Sequence, residues 1–155
     1  MAVQPIPEGY HSLSPYLAVE DAGKAIDFYK EAFGAEEVIR MPGPDGKVAH
    51  AELQIGDSKL MLSDPFEQSS VRPPAEVGGP TGSIFMYVED CDATFEQATR
   101  AGAEVETPLQ DMFWGDRFGS LTDPFGHLWS IATHKEDLSE EEIAERSKTA
   151  MSEMS

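Results

Sequence analysis

Two short patterns in the sequence bring together side chains that can do chemistry. The first is His50 and Glu52, separated by one alanine in the run 47–55. If that run is an extended strand, successive side chains point to opposite faces. Val48, His50, Glu52 and Gln54 then share one face, and Ala49, Ala51, Leu53 and Ile55 form an apolar face that packs on a helix. An imidazole and a carboxylate two positions apart stand roughly 6 to 7 Å from one another, which suits a shared ligand or a general base and its support. A buried hydrogen-bonded pair that only specifies the core fits the same pattern. The second is Trp114, Asp116 and Phe118, which alternation puts on one face with Ser120 and Thr122, away from Arg117 and Leu121. Two rings beside a carboxylate hold a flat or cationic organic group by stacking and cation–π attraction. Plain core packing of Trp114 and Phe118 is the competing reading. Tyr16, Phe85 and Tyr87, in two further strand-like runs, add aromatic walls.

The remaining reactive residues read as structural. His127 follows the turn Asp123-Pro124-Phe125-Gly126 and is expected to hydrogen-bond across it, while His11 and His134 stand at the ends of the domain in solvent. Cys91 reads as a half-buried residue at a helix start, and as the single cysteine it excludes an internal disulfide or a cysteine zinc cluster. No strand is followed by Gly-x-Gly-x-x-Gly, and neither Gly-x-Ser-x-Gly nor His-Glu-x-x-His occurs, so dinucleotide, hydrolase and zincin chemistry lack support.

The elements that position these groups repeat. Leu17-Ala18-Val19-Glu20-Asp21 returns as Met86-Tyr87-Val88-Glu89-Asp90, and Gly34-Ala35-Glu36 returns as Gly102-Ala103-Glu104. Between the anchors lie helical patterns, Ala22, Ala25, Ile26, Tyr29, Ala32 and Phe33 in the first copy and Phe95, Ala98 and Ala101 in the second. Asp21 and either Asp90 or Asp92 are placed to cap the helix starts, and Gly34 and Gly102 to close the ends. Strand-like runs at 13–19 and 83–89 precede the helices. Three more follow each helix, at 36–41, 47–55 and 59–63, then at 103–109, 114–122 and 127–133. This predicts an α+β fold of two tandem βαβββ modules, about 11–66 and 83–134, forming a concave mixed sheet around a cleft. They make up one domain over 1–134, joined by a Pro-, Gly- and Ser-rich linker at 67–82 that is expected to be free to move. An acidic tail, 135–155, opens a helix at the capping box of Ser139 and Glu142. That tail either stays solvated or packs on a partner subunit.

Composition narrows the partners. With 29 acidic residues against 11 Lys and Arg, the net charge of −18 repels phosphate backbones and anionic lipid. No apolar run approaches the roughly 18 residues of a membrane span. The opening residues carry no signal-peptide pattern, so a cytoplasmic location is expected.

The paired βαβββ order, together with Trp114-Gly115-Asp116-Arg117-Phe118-Gly119, Asp123-Pro124-Phe125-Gly126-His127-Leu128-Trp129 and Gly56-Asp57-Ser58-Lys59-Leu60-Met61-Leu62-Ser63-Asp64, resembles the vicinal oxygen chelate superfamily of glyoxalases, bleomycin-resistance proteins and extradiol dioxygenases, in its PhnB-like branch. The resemblance covers about residues 11–134. It implies a small-molecule cleft inside the curled sheet, and a homodimer that completes clefts or buries sheet edges. It also implies a divalent metal held by the first and last strands of each module. The matching positions here are Ser14, Leu60, Ser83 and Ser130, which are not imidazole or carboxylate donors, so no metal cofactor is expected. Two classes of function stay open: a protein that binds a small organic molecule without the metal, and a metal-dependent lyase, isomerase or dioxygenase.

Overall fold

The structure is a computed structural model that describes residues 2–154; Met1 and Ser155, the outermost residues of the expected domain and tail, lie outside them. The first module runs β1 (Tyr16–Ala18), α1 (Ala22–Phe33), β2 (Glu36–Pro42), β3 (Val48–Ile55) and β4 (Ser58–Ser63). The second repeats it as β5 (Ser83–Tyr87), α3 (Cys91–Ala101), β6 (Glu104–Asp111), β7 (Asp116–Thr122) and β8 (Leu128–His134). A short α2 (Pro74–Val77) lies between them and α4 (Glu140–Met154) follows.

Each module forms its own four-stranded mixed sheet, in the orders β1-β4-β3-β2 and β5-β8-β7-β6. In both, the first strand runs parallel to the last and the other pairings are antiparallel. The register repeats as well: Tyr16 lies opposite Met61, and Phe85 opposite Ser130. α3 is one residue shorter than α1, which accounts for the offset between copies dropping from 69 to 68 across the helix.

The helix ends follow from their caps. The Asp21 carboxylate accepts from the Lys24 amide, and Asp90, not Asp92, accepts from Ala93. Asp92 pairs instead with Arg117 at 2.9 Å. Gly34 ends α1 at φ 68°, a left-handed turn that a side chain strains. At the start of α4 the Ser139 hydroxyl accepts from the Glu142 amide at 3.1 Å, as the capping box predicts.

The two modules share one core. α1 packs on α3, and both helices lie against the inner faces of the sheets, so Ile26, Tyr29, Leu53, Phe95, Leu121 and Trp129 belong to one buried cluster. Tyr29 and Phe33 meet Trp129 across the module boundary, with ring centroids 5.4 and 4.6 Å apart. Beneath them the buried Asp123 carboxylate accepts from Tyr29 Oη at 2.5 Å, Trp129 Nε1 at 2.9 Å, and the Phe125 and His127 amides.

Four local expectations need correction. His127 is structural, but its Nε2 reaches the Ala18 carbonyl in the other module at 2.8 Å, because Asp123 already closes its own turn. Cys91 is fully buried at the first position of α3. The linker is anchored, since Pro73 and Pro74 are buried, and a Cβ on Gly126 would stand 3.0 Å from Pro74. Finally, β3 is bulged: its register skips Ala49, so Val48 turns into the core and Ala49 is exposed, the reverse of simple alternation.

Candidate functional site

Because the helices of both modules fill the space between the sheets, the opposite face of each sheet points away from the shared core. The predicted site residues lie on these two outer faces in two groups. Tyr16, His50 and Glu52 meet on module one; Phe85, Tyr87, Trp114, Asp116 and Phe118 meet on module two. Among the described residues no hydrogen bond or ring contact joins the groups. A groove of about 1260 Å³ runs along the free edge of β5 and is lined by Phe33, Ile84, Met86 and Trp129; of the predicted residues only Phe85 and Tyr87 border it.

On module one, β1, β4 and β3 place Tyr16, Met61 and Glu52 in one row. His50 lies one pleat along, and its Nε2 stands 2.8 Å from Glu52 Oε2. An ionised carboxylate only accepts hydrogen bonds, so Nε2 carries the proton; in the neutral ring Nδ1 is then an acceptor, and Tyr16 Oη donates to it across 3.1 Å. The other Glu52 oxygen accepts from Tyr10. The hydrogen bonds from Tyr10 and then His50 hold the Glu52 carboxyl below its usual range, against a smaller opposing effect of burial. Tyr10 belongs to the segment before β1 and was not legible as a site residue. Lys59 fixes it there, bonding to the Gly9 carbonyl at 2.9 Å with its ammonium 4.7 Å from the Tyr10 ring centre.

On module two the carboxylate is interior. Asp116 is 3% exposed and accepts from Tyr87 Oη at 2.7 Å, Trp114 Nε1 at 3.0 Å and His134 Nδ1 at 2.8 Å. Burial alone would raise its pKa; the three donors outweigh that and lower it. His134 is not simply solvated. Its other nitrogen meets Asp137 at 2.8 Å, and with Asp116 first and Asp137 second its pKa is raised. Alternation along 128–134 puts Ser130, Ala132 and His134 on one face, a signal that could have found it. Trp114 lies in the turn before β7, not in the strand, yet its ring still meets Phe118 edge to face at 5.9 Å. Phe118 stacks on Phe85 at 5.7 Å, and Phe85 meets Tyr87 at 5.1 Å. Phe85 and Tyr87 are 47% and 60% exposed, an open aromatic wall.

The positions where a metal would be held carry other side chains. Ser14 precedes β1, Ser83 opens β5, and Ser130 faces outward in the Phe85 row. The matching register in module one falls at Met61; Leu60, the residue expected there, points into the core. Three hydroxyls and a thioether are a poor donor set for a divalent ion. Among the described residues no group of three or more His, Cys, Asp or Glu side chains is placed to hold a metal ion.

The model of the Glyoxalase/Bleomycin resistance protein/Dioxygenase superfamily matches residues 10–131. The chain belongs to that superfamily. The protein Mb0911c of Mycobacterium bovis is 46% identical over 135 residues, covering 85% of this chain and 89% of that one. The crystal structure of TioX from Micromonospora sp. ML1 superposes with a TM-score of 0.63 at 30% identity, over 83% of this chain and 100% of TioX. The PhnB protein of Bacillus cereus shares the superfamily fold, with a TM-score of 0.61 at 21% identity over 79% of this chain and 99% of its own. No helix among the described residues is long and apolar enough to cross a membrane.

Proposed function

We propose that this protein binds a small organic molecule without a divalent metal, in a cleft formed by the module-one face of one copy and the module-two face of a second. The observation that carries this reading is the aromatic wall of exposed Phe85 and Tyr87 with half-buried Trp114 and Phe118, on a sheet whose inner face is already filled. An aromatic surface of this kind, beside a carboxylate whose oxygens are already occupied, offers stacking to a flat or cationic ring. The opposite half, Tyr16, His50 and Glu52, offers hydrogen bonds. A homodimer is part of the proposal, because the edge strands β1 and β5 each leave one side without a partner strand and one chain does not bring the half-sites together. The single cysteine and the charge of −18 favour a cytoplasmic protein that avoids nucleic acid.

A thermal-shift screen of small aromatic and cationic compounds tests the reading, with metal analysis of protein purified without chelators. The expected outcome is stabilisation by a flat compound, no stoichiometric metal, and a dimer by light scattering. One transition metal per chain would restore the metal-dependent lyase, isomerase or dioxygenase. A monomer near 17.0 kDa at high concentration would remove the shared cleft.

A further inference from the structure

The four tyrosines are held in two different ways. Three phenols donate to carboxylates: Tyr10 to Glu52, Tyr29 to Asp123 and Tyr87 to Asp116. A neighbouring anion keeps the proton on the phenol, and all three titrate above their ordinary value. The Glu52 hydrogen bond leads for Tyr10, burial for Tyr29, and the Asp116 hydrogen bond for Tyr87. Tyr16 differs, because its Oη meets His50 Nδ1, a nitrogen left free to accept by the Nε2 contact with Glu52. Its ring also lies against the imidazole, tilted by 30° with centroids 5.5 Å apart. Tyr16 is 40% exposed, so its oxygen is within reach of a small molecule on the outer face.

We infer that Glu52, His50 and Tyr16 form a proton-transfer relay that makes the Tyr16 phenol oxygen a reactive group toward small acyl compounds on the module-one face. When an acyl compound reaches Tyr16, the O–H bond breaks and the proton passes to His50 Nδ1. The electron pair left on Oη forms the new bond to the acyl carbon, the bond from that carbon to the leaving group breaks, and the leaving group takes up the proton from His50. Glu52 is a positioning residue: it fixes the tautomer that leaves Nδ1 unprotonated and stabilises the imidazolium formed in the step. The relay goes beyond the binding reading and needs no ligand in the cleft.

Limited acetylation with N-acetylimidazole, mapped by mass spectrometry on the intact protein, provides the test. Tyr87 is an internal control, since it is more exposed than Tyr16 but donates to a carboxylate, and Tyr29 reports unfolding because it is fully buried. Accessibility alone predicts faster reaction at Tyr87. The relay predicts reaction at Tyr16 roughly tenfold or more faster than at Tyr87, within the range of a positioned base. In His50→Gln the Tyr16 rate should fall to that of Tyr87. In Glu52→Gln it should fall part-way, with the histidine ¹⁵N signals showing that His50 no longer holds a single tautomer. If His50→Gln exposes Tyr29 to the reagent, Glu52→Gln carries the comparison. Tyr87 reacting as fast as Tyr16 in the unaltered protein, no reaction at Tyr16, or a Tyr16 rate untouched by the substitution in a folded variant would each overturn the relay.

Discussion

The outer faces of the two modules share a backbone and differ in how each uses its carboxylate. His50 and Phe118 are equivalent in the duplicated register, as are Glu52 and Ser120. On module one, Glu52 sits half-buried and orders a polar chain that ends at an exposed phenol. On module two, Asp116 is sunk beneath the sheet surface, and its three donors use it to hold aromatic rings and the start of the tail in place. Duplication copies strand order and register because these are set by main-chain hydrogen bonds. It leaves the outward side chains free to diverge, because the shared core does not pack against them. A carboxylate on such a face is therefore judged by its donors and its burial.

Asp116→Ala should have the largest effect on this contrast. It strips a buried acceptor from Tyr87, Trp114 and His134 and is expected to cost about 2–4 kcal/mol, a fall of several degrees or more in Tm for a domain of this size. A Tm within a degree of the unaltered protein would mean that Asp116 does not organise the wall. Phe118→Ala comes next, at about 1–2 kcal/mol because the ring is only half-buried. It should abolish the stabilisation produced by flat aromatic compounds; a retained shift would place their binding elsewhere.

Glu52→Gln should change stability by about 1 kcal/mol or less, since the group is reached by water, while reducing ligand-induced stabilisation more than the fold itself. Equal shifts in the variant and the unaltered protein would leave Trp114, Asp116 and Phe118 as the better assignment. The smallest effect concerns pH. His134 titrates above its ordinary value, so its contribution to stability is fully present below that value and is lost as pH rises through the raised one. His134→Asn should flatten this slope of Tm against pH between mildly acidic and mildly alkaline buffers. An unchanged slope would show that Asp116 and Asp137 do not hold the imidazolium.

Much of this arrangement was legible in the residues alone, because the signals are local. Spacing of apolar residues and the aspartate and glycine caps specified α1 and α3, and period-two alternation put His50 with Glu52 and Asp116 with Phe118 on common faces. The same alternation failed at Ala49, where a bulge decided by pairing with β2 turned Val48 inward. The metal position carried over from the family resemblance fell at Leu60, one residue short of Met61, because matching along the chain does not see the register against β1. Tyr10 was invisible, lying in a segment with no periodicity that Lys59 pins down from another strand.

The sequence by itself determined the family, the two modules, the order of elements along each and, outside the bulge at Ala49, which residues share a sheet face. Only the tertiary structure decided that the two faces both turn away from one shared core and do not meet within a chain. That outcome rests on Tyr29, Phe33 and Trp129 packing helix against sheet across the module boundary, with His127 and Asp123 satisfying polar groups of the other module. Contacts between residues about 100 positions apart leave no pattern in either local stretch, because each apolar helix face needs cover without specifying which sheet supplies it.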